Sequence, residues 1–288
     1  MKKILIITSL ALTSAFIFAQ DTENELKNFR FGLKVAPSIN WYKPEGKILS
    51  PNGVGVGFGG GLVLEFRLAK VISIQTGAQI DLDRGKIKYN NGGLHNPGSN
   101  SVSYYYNNID DKIEKYNSEL SNNPSNYTHY QLNERFYKVT YITIPFALKM
   151  KTREIGTFTY YGLIGMNNSF RWKASADDKL NVIQDNIGGR PDALGATTSK
   201  SKIEITKDMR FYTASLNFGL GAEMNLSGTT SLTFGLNYNL GFLSATNTSS
   251  DYLERLAVNA DGSDNYVLLP LQQTIKSNAV VLNIGILF

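Results

Sequence analysis

The amino-acid sequence predicts an all-β fold: a transmembrane antiparallel up-and-down β-barrel of eight strands, with short periplasmic turns and long extracellular loops. Three observations support this fold class. Eight segments alternate apolar and polar residues with the two-residue period of a β-strand. The connections between these segments alternate between long and short. The apolar faces are long enough for the ~9–11 residues that a tilted membrane-spanning strand needs.

The alternating segments define the predicted strands. They lie at 29–41, 55–69, 71–86, 137–151, 157–173, 208–226, 229–246 and 274–288. Residues 142–150 show the pattern clearly, because Ile, Ile, Phe, Leu and Met alternate there with Thr, Pro, Ala and Lys. We expect the apolar face of each strand to meet lipid and the polar face to line the barrel interior.

Two prolines interrupt the pattern. Pro37 lies in the first segment and Pro145 in the fourth. Proline has no N–H to donate to a neighbouring strand, and a closed barrel has no edge strand where the missing donor would be harmless. We therefore expect a β-bulge or a locally interrupted pairing at both positions.

The connections distinguish a membrane barrel from a soluble β-sandwich. Long loops are predicted at 42–54, 87–136, 174–207 and 247–273, and short turns at 69–71, 152–156 and 227–228. A sandwich has no reason to place every long loop at one end, whereas a membrane barrel does. Residues 20–288 are therefore predicted to form one outer-membrane β-barrel domain.

The first residues predict export. Lys2 and Lys3 precede an apolar run, and Ala19-Gln20 is a plausible cleavage point, so residues 1–19 are interpreted as a signal peptide. A retained membrane anchor is the alternative, although the run is short for a spanning helix. The chain has no cysteine, and its net charge of +5 is too small to argue for nucleic acid as a partner. We expect the bacterial outer membrane as the location.

The glycine-rich stretch 55–60 matches the dinucleotide fingerprint G-x-G-x-x-G, but the match is rejected. That fingerprint follows a strand and opens a helix, whereas apolar residues here continue one strand face from Val54 to Phe66. Gly55, Gly57, Gly59 and Gly61 then form a column on the opposite face. We interpret the column as room in a narrow, curved barrel, with a slot for a loop or ligand as the alternative.

Ten charged residues are predicted to face the barrel interior. The cations are Arg30, Lys34, Arg67, Lys149, Lys151 and Arg171, and the anions are Glu65, Asp81, Asp83 and Glu223. An eight-stranded barrel is just wide enough for side chains to fill it, and buried charges must be paired. We expect a salt-bridged plug. A narrow or gated polar channel is the functional alternative.

The longest predicted loop is rich in tyrosine. Its candidate contact residues are Tyr104, Tyr105, Tyr106, Tyr127 and Tyr130, because Tyr among Asn and Ser gives an adaptable binding surface. A short helix is predicted at 110–121. A disordered or lipopolysaccharide-facing loop is the alternative interpretation.

The sequence offers little for catalysis. Its two histidines, His95 and His129, and the pairs Asp110-Asp111 and Asp177-Asp178 fall in predicted external loops. Asp and His can both act in acid–base chemistry, but no spacing supports a rim protease, and none fits a metal site. We therefore predict no enzyme, no cofactor and no metal.

The stretch YITIPFALK, Tyr141 to Lys149, resembles the strand pattern of the PorT-like outer-membrane β-barrel family. The FAQ cleavage region, the glycine-rich second strand and the final Phe288 add to the resemblance. It implies an eight-stranded outer-membrane barrel. Some members belong to the type IX secretion and gliding apparatus, and the family offers no catalytic residues to carry over.

Three classes of function remain open at this point. The first is a structural or interaction barrel, with an accessory role in type IX secretion as its most specific form. The second is a small-solute channel, and the third is a surface adhesin or ligand-binding barrel acting through its extracellular loops. The expected partners are outer-membrane lipid, lipopolysaccharide and other envelope proteins.

Overall fold

The computed structural model describes residues 28–91, 101–116, 124–185, 191–228, 230–258 and 266–288. The predicted signal peptide lies outside these residues. The strands are β1 (Phe29–Glu45), β2 (Leu49–Ala69), β3 (Ile72–Tyr89), β4 (Ser101–Asn107), β5 (Lys112–Glu114), β6 (Tyr127–Lys151), β7 (Phe158–Asp185), β8 (Pro191–Glu204), β9 (Tyr212–Ser227), β10 (Thr230–Gly241), β11 (Ser249–Val258), β12 (Tyr266–Gln272) and β13 (Thr274–Leu287). Two 3-10 turns lie at Pro124–Asn126 and Thr206–Asp208. In the described part of the chain, no helix is long and apolar enough to cross a membrane.

Eight of the strands close into a ring. Their order around the ring is β1, β2, β3, β6, β7, β9, β10 and β13, and every neighbouring pair is antiparallel. Pairing of β13 with β1, from Gly32↔Leu287 to Glu45↔Thr274, closes the ring. The predicted eight-stranded antiparallel up-and-down barrel is confirmed.

The two faces of the strands separate as the alternation predicted. In β6, Ile144 and Phe146 are exposed on the outer surface, whereas Thr143 and Lys149 are buried in the barrel interior. Pairs of aromatic rings flank the outer apolar belt. Phe31 contacts Phe288 at the end with the short turns, and Trp41 stacks on Tyr238 at the other end. Aromatic girdles at both edges of an apolar band are typical of a membrane barrel.

Pro145 interrupts the strand pairing on one side only. The β3–β6 pairing skips residues 77–78 and 144–145 and resumes in the same register, while Pro145 stays paired with Asn167 of β7. The hydroxyl of Thr76 donates a hydrogen bond of 2.7 Å to the carbonyl oxygen of Pro145. The predicted local interruption is therefore present, without a bulge.

Pro37 also interrupts the strand pairing on one side only, in β1. The β1–β13 pairing skips residues 36–37 and 282–283 without a change of register. On the other side, Pro37 remains paired with Phe58 of β2. At each proline the missing N–H therefore interrupts the pairing with one neighbouring strand, and the pairing with the other neighbour continues through the proline.

The glycine column of β2 is occupied by side chains of the neighbouring strands. A Cβ atom at Gly57 would lie 2.3 Å from Nδ2 of Asn40, and one at Gly59 would lie 2.3 Å from Oδ1 of Asp81. β2 runs through this region as one strand with no helix after it, so the rejection of a dinucleotide site is supported. The space serves the barrel's own side chains.

The predicted long loops are largely β-structure, which corrects their assignment as loops. β1 and β2 continue to Glu45 and from Leu49, so most of the predicted loop 42–54 is strand. The connections 87–136, 174–207 and 247–273 contain β4, β5, β8, β11 and β12. These five strands pair with one another and with the outer ends of β6 and β7, forming what is here called the outer extension.

The outer extension shares one hydrophobic core with the adjoining part of the barrel. Val102, Leu132, Leu180 and Leu253, from four different strands, are completely buried. The helix predicted at 110–121 is wrong where the structure describes it, because Lys112–Glu114 pairs with β4 as strand β5. The rest of that prediction, residues 117–121, lies outside the described residues. Sequence periodicity is absent in β4, since both faces of this strand are covered by protein.

Candidate functional site

An ion cluster crosses the barrel interior near the short-turn end. It consists of Arg30 on β1, Glu65 on β2, Lys149 and Lys151 on β6, and Glu223 on β9, here called the basal ion cluster. In the ring, β2 and β9 stand on opposite sides of the barrel. The two carboxylates therefore reach toward each other across the interior and share the same cations.

The contacts of the basal ion cluster are short and buried. Nη2 of Arg30 lies 2.9 Å from Oε1 of Glu65 and 2.8 Å from Oε2 of Glu223. Lys149 donates to both carboxylates, at 3.1 Å to Glu65, and Lys151 also bridges both, at 3.0 Å to Glu223. Every one of these side chains is less than a tenth exposed. Removing one partner from such a network leaves an uncompensated buried charge.

Tyr161 of β7 closes the space beside this cluster. Its ring centre lies 4.2 Å from Nζ of Lys149, and its hydroxyl donates a 3.2 Å hydrogen bond to the carbonyl oxygen of Phe234. Gly221 and Gly235 make room for it, because a Cβ at either position would lie 2.4 Å from the phenol of Tyr161. The glycines of β9 and β10 are therefore the positions that admit a large aromatic side chain.

A polar cavity of about 90 Å³ lies above the basal ion cluster. Three asparagines form a chain across its wall: Asn237 donates to Asn217 at 2.8 Å, and Asn217 donates to Asn167 at 3.3 Å. Lys34 and Asp81 also line the cavity. Its size and polar lining suit a few water molecules.

A layer of tyrosines covers the outer side of this cavity. It consists of Tyr42, Tyr89, Tyr137 and Tyr141, here called the tyrosine layer, and each side chain is at most 3% exposed. The rings of Tyr42 and Tyr137 meet edge-on at 5.3 Å, and the hydroxyls of Tyr89 and Tyr137 lie 3.0 Å apart. The interior is thus filled at two heights, by ions below and by aromatic rings above.

Above the tyrosine layer lies a buried charge group that sequence reasoning missed. Arg135 binds Asp178 through two hydrogen bonds, and Tyr104 donates a third hydrogen bond of 3.0 Å to the same carboxylate. Asp208 lies 3.9 Å from Arg135 and accepts from the hydroxyl of Ser250. The partner carboxylate of Asp178 holds the pKa of Arg135 well above its usual value despite burial. This group ties the outer extension to the barrel.

A signal in the sequence could have found Arg135. It lies an even number of residues from Tyr137, Tyr141 and Thr143 of β6, whose side chains face the barrel interior. Extending the alternation of the fourth segment upstream would have placed Arg135 inside the molecule. Arg135 was not predicted as an interior charge because residues 87–136 were assigned as a loop. Asp178 was not predicted because residues 174–207 were assigned as a loop.

Eight of the ten predicted interior charges fall into two groups, and Arg67 and Arg171 lie apart from each other. Arg30, Glu65, Lys149, Lys151 and Glu223 meet in the basal ion cluster. Lys34, Asp81 and Asp83 line the polar cavity, where the carboxylate of Asp83 accepts a 2.6 Å hydrogen bond from Ser277. Arg67 of β2 is half-buried, and Arg171 is paired in register with Tyr141. The face assignment therefore located the basal contacts, but not their division into layers.

The predicted tyrosine contact surface needs correction. Tyr104, Tyr105, Tyr106 and Tyr130 are all buried, and Tyr127 is half-buried. Tyr104 and Tyr106 pack against Tyr130 with ring centres 6.2 and 6.3 Å apart. Tyr104, Tyr106 and Tyr130 belong to the buried hydrophobic cluster of the molecule, so they do not form an exposed contact surface.

The residues considered for acid–base chemistry do not come together as a site. His129 is buried and stacks on the ring of Tyr105 at 4.1 Å, and His95 lies outside the described residues. Asp178 is held by Arg135, and Asp177 by Lys138. Across the described ranges, no group of three or more His, Cys, Asp or Glu could hold a metal ion. That the chain is not an enzyme stays a prediction.

A closed barrel with an apolar outer belt, aromatic girdles and an ion-paired interior defines an outer-membrane β-barrel. The chain belongs to the outer membrane protein beta-barrel domain family, whose profile matches residues 18–247. It is a protein of the bacterial outer membrane. No curated protein matches the sequence.

Solved outer-membrane barrels are similar along most of the chain at low identity. Neisserial surface protein A is 11% identical with a TM-score of 0.36, covering 91% of this chain and 96% of that chain. Ail of Yersinia pestis is 10% identical with a TM-score of 0.33, covering 91% and 100%. The Escherichia coli outer membrane protease OmpT is 10% identical with a TM-score of 0.37, covering 93% and 99%. At this identity and TM-score, the similarity assigns no activity to the chain.

Proposed function

We propose that this chain is a closed outer-membrane barrel that holds an ordered β-structured surface outside the cell and binds another protein there. The observation that carries the proposal is the outer extension. Its strands share a buried core, and two barrel strands, β6 and β7, continue into it without a break. A surface built on such strands is held more precisely than one built on loops.

The barrel interior supports an interaction role over a conducting one. The basal ion cluster and the tyrosine layer fill the interior at two separate heights. Open porins use about twice as many strands as this ring. The small-solute channel is therefore the weaker candidate, and the polar cavity between the two layers has a volume of only about 90 Å³.

The outer extension offers a specific kind of binding edge. Within the described residues, β8 pairs with β7 along one side, and β12 pairs with β11 along one side. An unpaired strand edge presents a row of N–H and C=O groups to an incoming strand. We therefore expect a partner protein to add an extended segment to one of these edges.

Photo-crosslinking in intact cells tests this proposal. A photoreactive residue would replace Ala196 or Ser199, both exposed on β8, and a matched control would replace Leu236 on the lipid-facing belt. We expect one defined protein adduct at the β8 positions, competed by excess purified chain, and none at 236. Adducts absent from β8, or equal at 236, would contradict the proposal.

A narrower proposal concerns the machine in which the barrel works. The resemblance of Tyr141–Lys149 to the PorT-like family supports an accessory role in type IX secretion, with residues 1–19 acting as a signal peptide. Deleting the gene that encodes this protein should then reduce secretion of type IX cargo. The mature protein should begin at Gln20. Unchanged cargo secretion in the deletion strain would contradict this narrower role, but not the proposal of an interaction barrel.

A further inference from the structure

We propose that a patch of cations on the outer wall of the barrel binds the phosphate groups of lipopolysaccharide. The patch consists of Arg84, Lys86, Lys88, Lys138 and Lys173, here called the rim cation patch. These residues lie on the outward faces of β3, β6 and β7, which are neighbours in the ring. All are exposed except Lys138, which is half-buried.

The register places one pair of like charges directly opposite each other, while Lys88 lies opposite the carboxylate of Glu134. Arg84 of β3 is paired with Lys138 of β6. The next outward position of β6 toward the membrane, Thr140, is paired with Lys173 of β7. Like charges facing each other across a strand pair destabilise the sheet. Asp177 pairs with Lys138 and offsets part of this repulsion. No described carboxylate forms an ion pair with Arg84 or Lys173, so an anion bound beside these two cations is favoured.

The height of the patch fits the headgroup region. Arg84 and Lys138 each lie four residues along their strands from Ile80 and Ile142, which are exposed on the lipid-facing belt. At ~3.3 Å per residue, this separation is about 13 Å along the strand. Trp172, next to Lys173, is 64% exposed, and exposed tryptophan is typical of the membrane–water interface.

The patch keeps an excess of positive charge. Asp177 accepts from Lys138, and Glu134 lies 3.0 Å from Lys179, so these two carboxylates are already engaged. The exposed carboxylate of Glu204 lies on β8 beside this face. The remaining cations outnumber these acids.

One aromatic ring orders two of the cations. The ammonium groups of Lys86 and Lys138 each lie 5.6 Å from the ring centre of Phe136. Their aliphatic stems can pack on the wall while the charged ends face the headgroups. Phosphate is bound well by such Lys and Arg side chains. Lipopolysaccharide is the source we assign, because it is anchored in the outer leaflet at the depth of the patch.

The test compares the purified full-length chain in neutral detergent with a triple variant, Arg84→Gln, Lys138→Gln and Lys173→Gln. The matched control removes the same charge from three exposed positions elsewhere in the extracellular part: Lys47→Gln, Lys112→Gln and Lys207→Gln. Binding of intact lipopolysaccharide would be measured by native mass spectrometry, with heat-modifiable gel migration confirming that each variant is folded.

We expect the triple variant to bind lipopolysaccharide about tenfold more weakly or worse, and the control to bind like the wild type. Equal binding by the triple variant and the control would overturn the proposal. A second comparison uses only the wild-type chain, so it tests the proposal even if a variant fails to fold. Lipopolysaccharide with its phosphates removed should bind at least as weakly as the triple variant binds the intact form. Retained binding without phosphates, or equal binding of inorganic phosphate or phosphatidylglycerol, would overturn the assignment.

Discussion

Arg135 and Asp178 form a two-point ion pair in which neither side chain is exposed to solvent. Nε of Arg135 lies 2.8 Å from Oδ1 of Asp178, and Nη2 lies 2.7 Å from Oδ2. The pair joins β6 to β7 beyond the membrane belt and lies between the rings of Tyr104 and Tyr137. It is therefore a rigid link between the barrel and the outer extension.

Asp178→Ala should destabilise the folded protein by about 3–5 kcal/mol, because it leaves the guanidinium of Arg135 buried without its main partner. The free energy of unfolding would be measured by urea titration in lipid vesicles. The matched control is Asp110→Ala, which breaks an exposed ion pair with Lys112 and should cost at most ~1 kcal/mol. Equal losses in the two variants would show that the Arg135 pair is not structural.

Glu223→Ala should lower stability without opening a pore. The substitution leaves Arg30, Lys149 and Lys151 sharing one carboxylate, while Tyr161 and the tyrosine layer still fill the interior. We expect a loss of about 3–5 kcal/mol and no steady conductance in planar bilayers. Glu154→Ala, an exposed position in the short turn between β6 and β7, is the control. Stable openings from the wild type would move the channel to first place.

Leu236→Arg should be far more damaging than Ile109→Arg, although both replace an exposed apolar side chain. Leu236 is 58% exposed on the lipid-facing belt, whereas Ile109 is 70% exposed in the outer extension. An arginine near the bilayer midplane costs ~2–4 kcal/mol, and one in water costs almost nothing. Folding yield in lipid vesicles measures the difference. Similar yields would place the membrane belt elsewhere.

Asp208→Asn should change how stability depends on pH. Burial raises the pKa of Asp208, with Arg135 and Ser250 acting in the opposite direction. The folded state then binds the proton more readily than the unfolded state, so stability from this group falls as pH rises above the ordinary Asp pKa of ~3.9. The wild type should lose stability relative to Asp208→Asn as the pH rises from about 4 toward neutrality. A constant difference between their urea midpoints would contradict this.

The barrel was predictable from sequence because its two environments differ sharply. Lipid on one face and a polar interior on the other impose strict alternation, as in 142–150, and the exposed Phe146 and buried Lys149 follow it. The interrupted pairing at Pro145 was predictable for a different reason, because a missing N–H must interrupt one ladder. The interior position of Lys149 and Glu223 followed from the face assignment, but which charges pair with which did not.

The outer extension was not predictable by the same signal. β4 is buried along its whole length, so Tyr104 and its neighbours show no alternation. A tyrosine-rich polar stretch therefore looked like an exposed loop. Which strands pair there depends on contacts between segments far apart in sequence, such as Arg255 of β11 opposite Val102 of β4. Local periodicity carries no information about such partners.

The unbroken run of β6 and β7 also has a mechanical consequence. β6 alone has 25 residues, which at ~3.3 Å per residue is about 80 Å of continuous strand. Backbone hydrogen bonds lie perpendicular to the strands of an antiparallel pair. A pulling force on the outer extension along these strands therefore loads many hydrogen bonds in shear at once, instead of opening them one by one. The barrel is therefore suited to transmit tension from the outer extension to its short turns without unravelling.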